Sequence, residues 1–309
     1  MEKLKIIFMG TPDFAVPSLN ALKNFSEIVL VVTQPDKPKG RGQKLLPSPV
    51  KIFAENNSLP IFQPQKIKSP EAVAHLKNFS ADLIVVVAFG QILSQEILDF
   101  PKFGAINVHA SLLPKYRGAA PIEWCLINGE NFSGITTMQM NAGLDTGDIL
   151  LQSEVKISDE MILPELREIL QNVGANLLIE TLKKLQRNEL FPVKQNDSLS
   201  NYAPMIQKNL GKIDWKNSAK NIHNLVRGLY GRAFTSADEK IFKIWRTKIS
   251  EKIFQLQAGE IKIFHEKIFV GTGEGILEIL EIQAPNAKKM STADFLRGHK
   301  NFSNYFSTL

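Results

Sequence analysis

The run Leu83-Ile-Val-Val-Val-Ala88 most narrows the folds open to this chain. It contains no polar residue and no alternation, so as a strand it must be covered on both faces, as in a parallel sheet flanked by helices. The surrounding sequence repeats the theme. Residues 5–9 form a short apolar run and 28–33 a β-branched one, residues 105–109 and 135–140 read as further short strands, and residues 60–62 as a shorter one. Between them, residues 14–22, 50–57 and 70–78 carry apolar side chains at helical spacing. Strands alternating with helices of this length predict βαβ units and a doubly wound, mostly parallel sheet. Ligands bind such sheets beyond the carboxyl ends of the strands. Gly10-Thr11, Phe89-Gly90 and the segment from Asn107 to His109 all fall there.

Residues 163–187 predict one long amphipathic helix, with Leu166, Ile169, Leu170, Val173, Leu177 and Leu178 in its apolar stripe. After Asn188 the period is lost and two prolines enter before Met205. The predicted organisation is a catalytic domain over residues 1–189, a linker over 190–207 and a second domain over 208–309. Two domains suit 309 residues, since single cores rarely grow past roughly 250–300 residues. The last third holds one helical stretch at 218–229 and strand-like runs at 241–245, 259–264, 267–270 and 275–282, with a last piece expected near Phe295. Short strands at near-regular spacing predict a small barrel.

Charge separates the two parts. Residues 208–309 hold 17 Lys+Arg against 10 Asp+Glu, a net of +7, whereas the other 207 residues hold 20 against 21, a net of −1. A basic module joined to a near-neutral one points to a polyanionic partner, and nucleic acid comes before membrane because no amphipathic anchor is evident. The run from Leu83 to Phe89 is far short of the ~18–20 apolar residues that cross a bilayer. The amino-terminal MEKLKIIFMG resembles a signal sequence only superficially, because Thr11-Pro12-Asp13 follows where a cleavage site would stand. The single cysteine, Cys125, excludes an internal disulfide, fits a reducing compartment and lies in an apolar helical pattern, as a packed core thiol does. A cytoplasmic monomer is the expectation, since no heptad or conspicuous apolar patch is visible.

Several motifs bear on chemistry. Gly10-Thr11-Pro12-Asp13-Phe14 follows the first strand but lacks the further glycines of a dinucleotide fingerprint. Gly271-Thr-Gly-Glu-Gly275 lies between short strands and reads as a hairpin turn. Residues 34–49 are too long for an ordinary connection. Their Lys37, Lys39, Arg41 and Lys44, mixed with glycine and proline, suggest a flexible cationic lid that reaches a phosphate backbone. The five histidines (75, 109, 223, 265 and 299) are scattered, so no metal site is expected.

The most specific segment begins at Gly104 and runs through Asn107-Val-His109 to Arg117-Gly118. Residues i and i+2 of a strand share a face, so Asn107 and His109 project together where Ser111-Leu-Leu-Pro114 ends the strand. In Asn141-Ala-Gly143-Leu-Asp145-Thr-Gly147-Asp148, two glycines bracket Asp145, a device for bringing a carboxylate close to another group. An amide donor and a histidine beside a carboxylate can hold the oxyanion formed at a carbonyl, because the carboxylate favours the protonated, donating ring. No serine or cysteine is placed with a base, so direct attack by an acceptor is expected.

Taken together these segments closely resemble the methionyl-tRNA formyltransferase family. The matching pieces are Gly10-Thr-Pro-Asp-Phe-Ala15, Thr33-Gln-Pro-Asp-Lys37, Pro47-Ser-Pro-Val50, Phe89-Gly-Gln-Ile-Leu93, Asn107-Val-His-Ala-Ser-Leu-Leu-Pro114, Arg117-Gly-Ala-Ala-Pro121 and Leu144-Asp-Thr-Gly-Asp148. In the last third, Tyr202-Ala-Pro-Met205, Ile213-Asp-Trp215, Val226-Arg-Gly228 and Met290-Ser-Thr-Ala-Asp-Phe-Leu-Arg-Gly298 also match. The resemblance implies a formyltransferase fold followed by an OB-like β-barrel. It implies 10-formyltetrahydrofolate as donor and the α-amine of methionine on initiator tRNA as acceptor. By the same resemblance Asn107, His109 and Asp145 are catalytic. Ser111, Leu112, Leu113 and Pro114 touch the folate, with Phe89, Gly90, Gln91 and Ile92 lining its pocket. Arg41, with Lys37 and Lys44 beside it, approaches the tRNA acceptor end. One departure is plain: where the family has an Asn-Pro-Trp-Pro-like run, this chain reads Leu229-Tyr-Gly-Arg-Ala233.

Two rival functions predict different behaviour. Formyl transfer to a small amine, such as an amino sugar or a purine precursor, needs nothing from residues 208–309. A non-catalytic RNA-binding module needs neither the Asn107–His109 pair nor the glycines beside Asp145.

Overall fold

The computed structural model describes residues 3–39, 44–299 and 302–307. The chain divides into two compact units. The first comprises Met1–Gly118, Ser133–Val155 and Arg167–Tyr202, and the second comprises Ala119–Phe132, Lys156–Leu166 and Ala203–Leu309.

The first unit is built on a seven-stranded sheet of β1 (Lys5–Gly10), β2 (Glu27–Val32), β5 (Ile61–Phe62), β6 (Leu83–Val87), β7 (Ala105–His109), β9 (Phe132–Gln139) and β10 (Ile149–Lys156), in the order β10-β9-β7-β6-β1-β2-β5. All five residues of β6 are buried, as an unbroken apolar run requires. β1, β2, β5, β6 and β7 pair in parallel, whereas β9 runs antiparallel to β7. Two short ribbons stand apart from this sheet: β3 (Lys37–Lys39) with β4 (Lys44–Leu46), and β8 (Arg117–Gly118) with β11 (Tyr202–Ala203).

The helices are α1 (Val16–Phe25), α2 (Pro49–Asn56), α3 (Pro70–Lys77), α4 (Gln95–Asp99), α5 (Pro121–Ile127), α6 (Leu163–Gln186), α7 (Ala219–Gly228) and α8 (Thr292–Gly298). α2 and α3 both begin on Ser-Pro. The serine hydroxyl accepts the N–H three residues on, at 3.0 Å for Ser48 and 3.2 Å for Ser69, and the proline occupies a position that needs no donor. Ile7, Met9, Leu30, Ile84, Val86 and Phe89 belong to the apolar core on one side of the sheet.

In the second unit the antiparallel strands β12 (Phe234–Ala237), β13 (Lys240–Ser250), β16 (Ile276–Gln283), β15 (Lys267–Gly271) and β14 (Ile261–Phe264) follow one another across a sheet, with β17 (Met290–Ser291) on β16. The terminal segment bridges its two edges. Ser307 N–H donates to Ser236 O at 2.8 Å beside β12, and Ile261 N–H of β14 donates to Asn304 O at 2.9 Å. The curled, OB-like sheet surrounds Trp215, Phe242, Ile244, Phe295 and Phe306, and Trp215 stacks on Phe306 with centroids 5.4 Å apart. The glycine-rich segment 271–275 makes the β15–β16 connection. α5 packs on α7, whose buried Arg227 donates to Ser158 O at 3.0 Å and to Asn224 Oδ1 at 2.8 Å. Burial pulls the Arg227 pKa below its usual range.

One expectation is corrected here. The piece near Phe295 is helical, not a strand: the Ser291 hydroxyl caps α8 by accepting from Asp294 N–H at 3.1 Å. Among the described residues no helix is long and apolar enough to cross a membrane.

Candidate active site

β7 is held between two neighbours, with Asn107 opposite Val86 of β6 and Met138 of β9. Its backbone is therefore fixed, and the period of two sends Asn107 and His109 to one face at the carboxyl end. The loop after β9 brings a carboxylate to them. Asn141 Oδ1 accepts from Gly143 N–H at 3.0 Å and from the Thr146 hydroxyl at 2.8 Å, turning the chain back on itself. At Gly147 a β-carbon would lie 1.7 Å from Gln139 O, so only glycine passes this close to β9. Between the two glycines, Asp145 adopts a left-handed backbone with φ 54°. Asp and Asn enter that region more readily than other side-chain-bearing residues, and such strain gathers at functional sites.

The Asp145 carboxylate is the meeting point of the site. Its Oδ1 accepts from Asn107 Nδ2 at 3.5 Å. Its Oδ2 accepts from Gly118 N–H at 2.8 Å and lies 3.7 Å from His109 Nδ1. The three residues singled out from the sequence are thus brought together. His109 is 6% exposed, and its Nε2 lies 2.9 Å from Tyr116 O. A carbonyl only accepts, so Nε2 carries a hydrogen and Nδ1 is the nitrogen turned to the carboxylate. Only the doubly protonated ring donates from both nitrogens. The separations from Asp145 to Asn107 and His109 exceed the ~2.9 Å of a good N–H···O bond. Asn107 Nδ2 is thus held only weakly by Asp145, and the amide and the imidazole can both turn to a small oxygen placed among them.

Nucleophile chemistry has no candidate in this cluster. Ser111 is buried, and its hydroxyl donates to Lys115 O at 2.6 Å. Cys125 is buried in α5, in the second unit. An amide N–H donor, an imidazole and a carboxylate without a nucleophile suit acyl transfer by direct attack of an acceptor.

The two flanking loops are fixed from behind. Thr136 Oγ1 donates to Ser111 O at 2.7 Å and accepts from Leu113 N–H at 3.1 Å, while Gln152 Nε2 donates to Leu113 O at 2.9 Å. Leu113 is buried, whereas Leu112 and Pro114 are half-buried. In the loop after β6, Phe89 O accepts from Thr11 Oγ1 at 2.9 Å and from Gln34 Nε2 at 3.0 Å, tying three strand ends together. Gly90 takes φ 82°, Gln91 Oε1 accepts from Ile67 N–H at 2.9 Å, and Ile92 stands 66% exposed. No described hydrogen bond joins this loop to Asp145. It shares the site by register, because Gly10 pairs with Val87 and Val86 with Asn107.

The cationic stretch is a short hairpin, with Lys37 and Lys44 on its two strands and Arg41 outside the described residues. Its ends are joined by the Thr33 and Ser48 hydroxyls at 2.8 Å, and Lys37 Nζ donates to Gln34 Oε1 at 2.5 Å. Asp13 serves the fold: both carboxylate oxygens accept from Arg167 of α6, at 2.6 and 2.7 Å, which holds its pKa below the usual carboxylate range.

The sequence reading missed what lies beyond α6. Gln195, 7% exposed, donates from Nε2 to Asp145 O at 2.9 Å and to Gly147 O at 2.7 Å. Val193 bridges Ile149, and Asn201 Oδ1 accepts from Tyr116 N–H. The match of Arg117-Gly118 to a known motif was the one available signal, since Gly118 holds the carboxylate directly.

The family profile described as formyl transferase matches residues 3–182, and that described as formyl transferase, C-terminal domain, matches residues 205–300. The chain is 50% identical over 302 residues to a methionyl-tRNA formyltransferase of Geobacter metallireducens, covering 96% of each chain. It is 50% identical over 300 residues to one of Clostridium perfringens, covering 96% of this chain and 97% of that one. An N-formyltransferase from Helicobacter canadensis, solved with folinic acid and dTDP-3-aminofucose, superimposes with a TM-score of 0.67 at 25% identity, over 94% of this chain and all of that one.

Proposed function

We infer that this chain, which belongs to the methionyl-tRNA formyltransferase family, formylates the α-amine of methionine esterified to initiator tRNA. The donor in this reading is 10-formyltetrahydrofolate, and the product, formylmethionyl-tRNA, serves translation initiation. The observation that carries the chemistry is the convergence of Asn107 Nδ2, His109 Nδ1 and the Asp145 carboxylate within 3.5 and 3.7 Å.

The residues present fit a flat folate ring. The loop after β6 passes through left-handed conformations at Ala88 and Gly90, leaving residues 90–92 outside helix and strand beside the exposed Ile92 side chain. A ring with one polar edge needs that mixture of irregular backbone and apolar surface. Phe89, Gly90, Gln91 and Ile92 would hold it on one side, and Ser111, Leu112, Leu113 and Pro114 on the other. The donor supplies an electrophilic formyl carbon.

The protein's own groups do the rest. An α-amine has a pKa near ~8, so it reaches the neutral, attacking form at modest cost. Asp145 accepts a proton as the amine becomes an amide, and that proton passes to the donor nitrogen as its bond to the formyl carbon breaks and tetrahydrofolate leaves. Asn107 Nδ2–H and the protonated His109 Nδ1–H donate to the formyl oxygen as negative charge develops on it. Both donors are held before the reaction, His109 by Tyr116 and Asn107 by its central strand, so little reorganisation is needed. The hairpin with Lys37 and Lys44 on its strands, together with Arg41 of the same stretch of sequence, approaches the acceptor end of the tRNA, and the basic excess of residues 208–309 supports a polyanionic partner. The same reading places the enzyme in the cytoplasm as a monomer, with no metal and no membrane anchor.

The test is a formyl-transfer assay comparing methionyl-initiator tRNA, methionyl-elongator tRNA and free methionine. Preference for the initiator species is expected. Transfer to a nucleotide-linked amino sugar with none to methionyl-tRNA would overturn the reading.

A further inference from the structure

We propose that Gln195, oriented by Arg117, is the positioning residue that sets Asp145 against His109 and Asn107. Its side chain is fully engaged. The amide nitrogen donates to Asp145 O at 2.9 Å and Gly147 O at 2.7 Å, and the amide oxygen accepts from Arg117 Nε at 3.0 Å and Nη2 at 2.8 Å. Arginine only donates and a carbonyl only accepts, so this arrangement admits one orientation of the amide. One of the two carbonyls it grips is on the left-handed Asp145 itself and the other is two residues further on. A loop in that conformation persists only where its surroundings over-determine it.

Three consecutive residues complete the arrangement. Tyr116 O accepts from His109 Nε2, Arg117 fixes Gln195, and Gly118 N–H holds Asp145 Oδ2. The segment is itself held, because Asn201 Oδ1 accepts from Tyr116 N–H and Asn201 O accepts from Arg117 N–H at 3.1 Å. One stretch of backbone therefore carries the acid–base residue on one side and the histidine on the other, with Gln195 as the strut between that stretch and the Asp145 loop. The ion pair of Arg117 with the exposed Asp197 adds little, since solvent screens it.

Gln195→Glu and Gln195→Leu separate this role from packing. Glutamate keeps an acceptor for Arg117 but turns a carboxylate oxygen toward two carbonyls, so the loop loses its strut while the arginine interaction stays. Both variants should lower kcat about ten- to a hundredfold, the upper figure being the cost of a misplacement of about 1 Å, with KM for donor and tRNA within about twofold. Amide exchange across residues 143–148 should quicken while the seven-stranded sheet keeps wild-type protection. Wild-type kcat in Gln195→Glu, unchanged exchange in the loop, or exchange quickened throughout the sheet would each overturn the assignment. The inference rests on Asp145 acting in formyl transfer. Failure of the wild-type protein to formylate methionyl-tRNA would count against that reading, whereas the exchange comparison judges Gln195 separately.

Discussion

Gly147→Ala puts the geometry of the Asp145 loop under the most direct strain. The added β-carbon would lie 1.7 Å from Gln139 O, and real β-carbons do not approach closer than 3.0 Å, so the two backbones must part by at least 1.3 Å. The strand cannot be the side that yields. Gln139 pairs with Ile106 of β7, and its side-chain amide donates to Phe103 O and Ala105 O at 3.3 and 3.2 Å. The loop must move instead, taking Gly147 O away from Gln195 and Asp145 away from His109 and Asn107. A steric insertion of this kind costs roughly 1–3 kcal/mol, against a total of about 5–15 kcal/mol for a folded domain. The variant should therefore fold, with Tm lowered by several degrees, at ~2–4 °C per kcal/mol. Displacing a reacting group by about 1 Å costs ~100-fold in rate. The expected result is a folded protein whose kcat for formylation of methionyl-tRNA has dropped about a hundredfold, measured at 25 °C beside its melting curve. A kcat within threefold of wild type would refute the claim that this close approach positions the carboxylate.

Asn107→Ala and His109→Ala should each lower turnover roughly 100- to 1,000-fold with melting temperatures near wild type, as loss of one oxyanion donor does; near-normal turnover in either would remove that residue from the chemistry. Arg41→Ala combined with Lys44→Ala should weaken tRNA binding and flatten the plot of log affinity against log salt, by roughly one unit for each phosphate no longer neutralised. An unchanged slope would mean that the hairpin does not touch the tRNA backbone. Arg167→Met removes the partner that depresses the Asp13 pKa. A depressed carboxylate contributes stability above its unfolded pKa of ~3.9 and loses it as pH falls through the folded value. The wild-type advantage in Tm should therefore be present at pH 7 and shrink below about pH 4, staying under ~1 kcal/mol because the pair is exposed. An advantage that grew on acidification would contradict the sign.

Much of the fold could be read because hydrophobic period reports burial. The run at residues 83–88 became the fully buried β6 as far as Val87, with Ala88 turning out of the strand, and the stripe from Leu166 to Leu178 became part of the single helix α6. Period does not report direction, so the antiparallel setting of β9 beside β7 could not be foreseen from its apolar residues. Nor does it work on short elements. Phe234-Thr-Ser-Ala237 forms β12 through pairing with β13, although only two of its residues are apolar. α8 spans too few residues for a helical period to emerge, and its clue was local chemistry, the Ser291 cap three residues before Asp294. In these two elements tertiary pairing and capping decided what the apolar pattern left open.

The candidate site divides in the same way. Asn107 and His109 were legible because a strand repeats every two residues, and Asp145 because glycines on both sides mark a close approach. Those rules say which side chains share a face or a tight turn, and nothing about what holds them at a working distance. That distance is set by Tyr116, Gly118 and Gln195, largely through backbone N–H and C=O groups that sequence pattern does not display. Gln195 lies 50 residues from Asp145 in the chain, in a stretch where loss of period suggested a linker. Such a segment can bend to fit a loop because it need not keep one face buried, and a buried side chain with two donors and one acceptor can then lock it in place. The residues that place the carboxylate are therefore found where the sequence has least regularity.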